Sequence, residues 1–141
     1  MKSELIFIQL EEGAKAPQYA HDDDAGADVF AYEDTVIPAR GHADVRTGVH
    51  VAIHEGLYGK MSSKSGLMVK HGLTCDGTID AGYRGEIMAI MFNHTDVDYV
   101  FHKGDKVAQL IILPYVRAYF EEVDELDSTE RGAGGFGSTG K

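Results

Sequence analysis

With 141 residues, 43% of them hydrophobic, the chain fits one small domain with a real core. Its 23 acidic and 13 basic residues give a net charge of −10, which argues against duplex DNA or RNA as a partner and leaves room for a single nucleotide held with a divalent cation. One cysteine, no leader pattern and no apolar run longer than residues 107–114 predict a cytoplasmic protein without a disulfide or a membrane segment.

Short apolar runs bounded by Gly, Pro or Asp recur along the chain, each with the length of a single strand. The predicted strands are residues 5–10, 27–32, 49–53, 57–61, 87–92, 98–101, 107–113 and 118–123. This series predicts an all-β domain of sandwich or barrel type, because helices do not alternate with the strands.

Carboxylates gather at the start of the second predicted strand. Residues 22–24 are all aspartate, and Asp28 closes the segment Ala25-Gly26-Ala27-Asp28. Such a group can bind a divalent cation, although an acidic run of this kind is usually a solvated loop.

One stretch has a helical pattern. Ser65 is placed to cap a helix of one or two turns that stops at Gly72. Hydroxyls and a cation stand at its start in Ser62-Ser63-Lys64-Ser65, where free N–H groups attract anions. The segment predicts a phosphate cradle; ordinary capping beside a surface lysine is the alternative.

Asp80 lies in the glycine-rich segment 77–86, which predicts a tight β-hairpin whose backbone approaches another group closely. A carboxylate at such a bend can hold and polarise a water as a general base. It can also cap its own backbone in an Asx turn, which is the favoured interpretation of the residue alone. Tyr83, taken alone, is more often a packed ring than a ligand contact.

Polar residues inside strand patterns need partners. Gln109 interrupts the apolar run 107–113, so its amide needs either a structural hydrogen bond or a ligand. His50 and His54 lie on a strand pattern without cysteines or carboxylates around them, which argues against a zinc site.

The C-terminal residues 125–141 differ in composition from the β domain of residues 1–124. Six acidic residues fall within residues 121–130, which predicts a solvated link. The last eleven residues include five glycines and have too little apolar surface to fold alone. We expect two units, a β domain and a flexible arm.

The arm has the chemistry of a nucleotide lid. Its glycine-rich backbone can turn N–H groups toward an anion, and Arg131, Ser138 and Thr139 add donors for phosphate. Phe136 offers a flat face on which a base can stack. We expect the arm to order over a ligand that carries phosphates and a base; an unstructured tail is the alternative.

Five segments together have a recognisable order. They are Ala25-Gly26-Ala27-Asp28, Ser63-Lys64-Ser65-Gly66-Leu67, Gly77-Thr78-Ile79-Asp80-Ala81-Gly82-Tyr83-Arg84-Gly85-Glu86, Gly104-Asp105-Lys106-Val107-Ala108-Gln109-Leu110 and the arm. Over residues 25–140 the chain thereby resembles the trimeric dUTP pyrophosphatases, or dUTPases. The resemblance implies a jelly-roll-like β-sandwich or barrel with one short helix, assembled as a homotrimer with active sites shared between subunits. It also implies a dUTP diphosphatase that hydrolyses dUTP to dUMP and pyrophosphate with Mg²⁺.

The same resemblance implies roles for the hairpin residues. Asp80 would activate the water that attacks the α-phosphorus. Tyr83 would pack against the deoxyribose and exclude a ribose 2′-hydroxyl. The backbone of Gly77, Thr78 and Ile79 would hydrogen-bond the edge of uracil.

Further implied contacts surround the triphosphate and the open side of the base. The implied substrate contacts are Lys64, Ser65, Gly66, Gln109, Arg131, Phe136, Gly137, Ser138 and Thr139. Within this set, Phe136 would cover uracil from a neighbouring subunit. Asp28 would hold water around Mg²⁺ or fasten the subunit interface.

The chain departs from the family pattern at two places. Lys64 stands where an arginine is usual, so the charge is kept but the planar fork is lost. Thr74-Cys75-Asp76 stands where many relatives carry an asparagine near the first position. These residues therefore differ from the family near the implied phosphate and uracil contacts.

Two alternatives compete with the enzyme. The same fold and arm could form a nucleotide-gated regulatory protein that presents a surface to a partner protein, alone or as a second role. The fold-related dCTP deaminases are the other alternative, but they need a glutamate-based site, whereas this chain has the dUTPase hairpin and a Phe-containing arm.

Overall fold

The computed structural model describes residues 2–137 and 140, so Ser138 and Thr139 of the arm lie outside the described residues. The elements are β1 Phe7–Leu10, β2 Ala27–Phe30, β3 Thr35–Ile37, β4 His42–Ala52, β5 Leu57–Ser62, α1 Ser65–His71, β6 Leu73–Ile79, β7 Glu86–Asn93, β8 Tyr99–Phe101 and β9 Lys106–Pro114. The all-β prediction with one short helix is confirmed. No helix within the described ranges has the length and apolarity to cross a bilayer.

The strands form a jelly-roll-like curled sheet in which every pairing is antiparallel. Seven strands take the order β1-β4-β7-β6-β5-β9-β2, and β3 pairs with β8 in a separate two-stranded sheet. β1 therefore lies at one edge of the large sheet and β2 at the other.

Alternation along each strand places one face in a shared core. In β7, Ile87, Ala89 and Met91 are buried, while Met88 and Ile90 face outward. The buried apolar core further contains residues Val29, Ala31, Ile37, Val45, Val49, Val51, Ile53, Leu57, Met61, Leu73, Cys75, Ile79, Phe101, Val107, Ala108 and Leu110. The alternation of core-facing and outward-facing side chains along each strand therefore produces this shared core.

Several predicted strands differ from the observed ones. The predicted strand 49–53 is only the end of the eleven-residue β4, whose first half carries polar side chains on its outer face. β3 was not predicted, and of β6 only residues 77–79 were covered, by the predicted hairpin. The predicted strand 118–123 is wrong: this segment is exposed and has no strand partner in the described part of the chain. A run of suitable residues becomes a strand only where a neighbour supplies hydrogen bonds.

The helix α1 forms between β5 and β6 as its sequence predicts, with one correction. Lys64, and not Ser65, occupies the N-cap position, and its side chain makes no capping hydrogen bond. Gly72 ends the helix in the left-handed region at a φ of 62°, where its N–H bonds the carbonyl oxygen of Met68. A glycine is suited to this position because it lacks the Cβ that opposes positive φ.

Candidate active site

A cleft opens where two neighbouring strands separate. β6 pairs with β7 only through residues 73–75, and residues 76–79 pair with β5 instead. The predicted hairpin is therefore open at its tip and encloses a cleft of about 300 Å³. The residues that line it are Asp44, Met61, Gly77, Thr78, Ile79, Asp80, Tyr83, Glu86, Ile87, Met88 and Ile90.

The cleft wall formed by residues 77–79 presents backbone rather than side chains. These residues pair with β5 on one side, opposite Gly59, Lys60 and Met61. Along a strand, backbone groups point alternately to the two sides, so the remaining N–H and C=O groups of residues 77–79 face the cleft between β6 and β7. Groups of this kind need partners, and a planar ligand with amide-like edges suits them.

Asp80 lies at the mouth of this cleft, in the turn that follows β6. Its backbone carbonyl accepts a hydrogen bond from the N–H of Tyr83 at 3.0 Å. Its carboxylate is exposed and makes no hydrogen bond or ion pair with the described residues, so the Asx turn expected of this residue alone does not form. A carboxylate in this state has its lone pairs available for a water.

Tyr83 is held against the backbone of the same turn. Its hydroxyl donates to the carbonyl oxygen of Glu86 at 2.8 Å, and a β-carbon on Gly85 would collide with its ring. The side chain remains 46% exposed. The ring is thus fixed at the cleft while part of its surface stays open to a ligand.

A network not predicted from the sequence fastens this turn to β4. The Glu86 side chain, only 10% exposed, accepts hydrogen bonds from Arg46 and from the backbone N–H groups of Thr47 and Gly48 at a bulge in β4. Arg46 also binds Glu11 at 2.7 Å. The hydrogen bonds that Arg46 donates to Glu86 and Glu11 raise the pKa of Arg46 and lower the pKa of Glu11. The sequence pattern did not indicate it, because Arg46 and Glu86 both lie just outside the predicted strands 49–53 and 87–92.

The start of α1 is tied to β2 and β9 by one buried carboxylate. Asp28 is 4% exposed, and its two oxygens pair with the ammonium groups of Lys64 and Lys106, the latter at 3.1 Å. Burial acts to raise the pKa of Asp28, but its hydrogen bonds to the two lysines outweigh burial and lower it. The Lys64 charge is therefore turned toward Asp28.

Gln109 makes the structural hydrogen bond that its place in an apolar strand requires. Its amide nitrogen donates to the carbonyl oxygen of Ser63 at 3.0 Å. Its side chain also fills the space where a β-carbon on Gly26 would stand. Gln109 consequently holds β9 against the residues that lead into α1.

The predicted site residues fall into separate groups in this single chain. Gly77, Thr78, Ile79, Asp80 and Tyr83 line the cleft. The predicted phosphate contacts do not line it. That second group comprises Lys64, Ser65 and Gly66 at the start of α1, together with Gln109 on β9.

The C-terminal arm forms a third group, away from the cleft of its own chain. Arg131 donates from Nε to the carbonyl oxygen of Gly134 at 2.8 Å. Phe136 is fully exposed at a φ of 50°, and Gly137 follows at a φ of 88°. The hydrogen bonds of residues 116–137 stay within the arm and its link in the described structure.

Metal-binding clusters are absent from the described ranges, 2–137 and 140: no three His, Cys, Asp or Glu side chains converge there. His50 contacts the carbonyl oxygen of Arg84 and the carboxylate of Glu11, and His54 faces Glu4.

Comparison with protein families gives a match to the dUTPase model over residues 12–140. A curated relative, the deoxyuridine 5'-triphosphate nucleotidohydrolase of Clostridium tetani, is 48% identical over 135 residues, which cover 94% of this chain and 93% of the relative.

Solved structures show the same fold. The dUTPase of Staphylococcus bacteriophage 80alpha, solved with dUPNHPP, superposes with a TM-score of 0.91 at 31% identity and covers 99% of this chain and 100% of that one. A mutant dUTPase of phage phi11 of S. aureus, whose structure shows the coordination of a structural Mg(II) ion, has a TM-score of 0.80 at 29% identity and covers 86% and 98% of the two chains.

Proposed function

The chain belongs to the dUTPase family, and we propose that it hydrolyses dUTP to dUMP and pyrophosphate by attack of water on the α-phosphorus. The observation that carries this mechanism is the Asp80 carboxylate, which lies at the mouth of the cleft without a partner among the described residues. A general base needs a free lone pair within reach of the attacking water.

The backbone of residues 77–79, which lines the cleft, recognises the base. The N–H and C=O groups of residues 77–79 that face away from β5 complement the imide edge of uracil, which presents two carbonyls and one N–H. Cytosine presents a different order of donors and acceptors, and a wrong order leaves buried polar groups unpaired. Fixed strand geometry makes this discrimination possible without charged side chains.

Recognition of the sugar falls to Tyr83. Its ring is held by Gly85 and by the hydrogen bond to Glu86, so it cannot retreat when a ligand enters. A deoxyribose packs against the open part of the ring, whereas a ribose would place its 2′-hydroxyl against the same surface. Steric exclusion and loss of hydration both disfavour the ribonucleotide.

The triphosphate is bound by donors from the second and third groups. Lys64, Ser65 and Gly66 lie at the start of α1, and Gln109 lies beside them on β9. The arm adds Arg131, Phe136, Gly137, Ser138 and Thr139. Together they provide hydrogen bonds to phosphate oxygens and a ring over the base.

The donor set fits a magnesium ion that is bound mainly by phosphate oxygens and water. Asp28 is the carboxylate of the set, and because both of its oxygens already pair with lysine ammonium groups, it would contact the ion only through water. Mg²⁺ typically uses one or two carboxylates together with substrate phosphates. When bound, it neutralises charge on the triphosphate.

A homotrimer would unite the three groups of residues. The cleft and the arm do not meet within one chain, and residues 116–137 make no hydrogen bond to residues 2–115 in the described structure. The arm of one subunit is therefore available to close the cleft of another. Closure would exclude water from the reacting phosphate.

A nucleotide panel tests the proposed function. The protein is incubated with dUTP, dCTP, dTTP or UTP in the presence of Mg²⁺, and pyrophosphate is measured. We expect release from dUTP alone. Ammonia release from dCTP, or equal turnover of UTP and dUTP, would contradict the proposal. The regulatory alternative has no separate support in the described residues and stays a prediction from the sequence.

A further inference from the structure

The His50 side chain bridges two elements and has no role of its own in the chemistry proposed above. Its Nδ1 lies 2.9 Å from the carbonyl oxygen of Arg84, in the turn that carries Asp80. Its Nε2 lies 3.3 Å from a carboxylate oxygen of Glu11, in the loop after β1. The ring thereby connects the loop after β1 to the turn beside the cleft.

Both partners of the ring can only accept hydrogen bonds. A backbone carbonyl and a carboxylate have no proton to donate, so each ring nitrogen must carry a hydrogen to satisfy its contact. A neutral imidazole has one N–H and satisfies one of the two. The geometry therefore selects the imidazolium form of His50.

The charges around the ring favour the same form. Glu11 and Glu86 are the carboxylates that face it, from the loop after β1 and from β7, and Arg46 is the cation that pairs with both. The Arg84 guanidinium is directed instead at the carbonyl oxygens of Ala81 and Tyr83. The backbone hydrogen bond to Arg84 raises the pKa of His50 above its usual 6.5, against the opposing effect of burial, and Glu11 adds to the rise.

The Arg84 carbonyl is well placed to control the turn. The guanidinium of Arg84 donates to the carbonyl oxygens of Ala81 and Tyr83, so hydrogen bonds within the turn restrain its backbone. His50 holds the turn at the Arg84 carbonyl, and Glu86, which follows the turn directly, is bonded to the backbone N–H groups of β4. Asp80 and Tyr83 take their positions from these two anchors.

We propose that His50 is a positioning residue for the hydrolysis, and that its doubly protonated ring fastens the turn of residues 80–85 to β4. This inference rests on the proposed function, because it assigns the turn to that reaction. His50 contacts neither of the cleft residues Asp80 and Tyr83 directly. It acts through the Arg84 carbonyl, and its effect depends on its protonation.

The protonation state can be measured without substrate. In ¹⁵N-labelled protein, NMR spectra of the ring nitrogens should show both N–H groups of His50 at pH 6.5, with a midpoint above 6.5 that falls in Glu11→Gln. A ring that is already neutral at pH 6.5 would overturn the proposal. This readout remains valid even if the protein fails to hydrolyse dUTP, so the two failures are distinguishable.

Two amide substitutions separate the two contacts of the ring. The amide nitrogen of His50→Asn can take the place of Nδ1 and keep the bond to Arg84, whereas that of His50→Gln takes the place of Nε2 and keeps only Glu11. We expect His50→Asn to retain most of kcat at pH 6. We expect His50→Gln to lose about 3- to 10-fold in kcat, the worth of one hydrogen bond. KM for dUTP should change less, because residues 77–79 hold the base.

The pH dependence of kcat distinguishes a positioning role from a purely structural one. In the wild type, kcat should decline as pH rises through the His50 midpoint, and this decline should be missing in both amide variants. His54→Asn is the matched control, since His54 also faces a carboxylate, Glu4 at 3.4 Å, but does not touch the turn. Equal kcat in the Asn and Gln variants together with an unchanged pH profile would refute the positioning role.

Discussion

The ring of Tyr83 lies so close to Gly85 that a β-carbon on Gly85 would stand less than 3.0 Å from the tyrosine hydroxyl oxygen. Two residues apart in the sequence, they define one wall of the cleft. The glycine is required here by the close approach of the ring and not by its backbone angle, since Gly85 is not among the residues with positive φ. This contact provides the sharpest test of sugar selection.

Gly85→Ala should displace the Tyr83 ring and break its hydrogen bond to Glu86. We expect kcat/KM for dUTP to fall by about 10-fold or more and the preference for dUTP over UTP to shrink, because a misplaced wall no longer excludes the 2′-hydroxyl. The measurement is the ratio of kcat/KM values for the two nucleotides. Gly82→Ala is the steric control, since nothing lies within 4 Å of its added carbon. An unchanged ratio in Gly85→Ala would remove Tyr83 from sugar selection.

Asp80→Asn should abolish turnover while leaving the nucleotide bound. The amide is nearly isosteric but cannot accept the proton of the attacking water, so we expect kcat to fall by about 100-fold or more. The wild-type carboxylate has no partner among the described residues, so the free energy of unfolding should change by less than about 0.5 kcal/mol. Calorimetric binding of a non-hydrolysable dUTP analogue and single-turnover kinetics check both parts. Near-normal turnover would exclude Asp80 as the base.

Asp28→Asn should destabilise the fold at neutral pH. Removing the buried charge leaves Lys64 without its partner, and breaking such a pair costs about 3 kcal/mol. The folded-state pKa of Asp28 is lowered, so its stabilisation is full above the unfolded pKa and is lost as pH falls through the folded pKa. In urea unfolding, the difference in free energy of unfolding between the wild type and Asp28→Asn should thus be large at pH 7 and smaller at acid pH. Lys106→Gln is the milder control, because Lys106 is 52% exposed.

Cys75 should be unreactive in the native protein. Burial raises the pKa of its thiol to about 11, so almost no thiolate is present near neutrality. We expect a thiol reagent to label it only after denaturation, followed by absorbance. The shift also implies that stability declines as pH rises above 9.0, the ordinary thiol value, because the unfolded chain then ionises first. Rapid labelling of the folded protein would contradict its burial.

Deleting residues 131–141 should remove most of the activity and little of the stability. The arm supplies phosphate donors and the ring of Phe136, so we expect kcat/KM for dUTP to fall by at least about 100-fold. Hydrogen bonds of the described arm residues stay within the arm and its link, so the denaturation midpoint should hardly move. Sedimentation of the truncated protein tests the trimer at the same time. A truncated chain that fails to fold would contradict a separate arm.

The amino-acid sequence alone was sufficient for the fold class and the family, and it indicated the hairpin segment that lines one side of the cleft. Asp80 and Tyr83 fall in one contiguous glycine-rich segment, so their proximity is local and needs no knowledge of the sheet. The end of α1 at Gly72 was predictable for the same reason, because a left-handed cap is a property of a few adjacent residues.

Only the tertiary structure decided which polar side chains have a hydrogen-bond or ion-pair partner among the described residues. Asp28 and Lys64 are 36 positions apart in the sequence, and Glu86 and Arg46 are 40 apart. Neither ion pair therefore produces a periodic pattern in the sequence. The opening of the hairpin at its tip depends on β6 changing partners from β7 to β5. Likewise, residues 118–123 have the composition of a strand but no neighbour to complete it within the described ranges. Strand pairing and these ion pairs are interactions between segments that are distant in the sequence, so they form only when the chain folds.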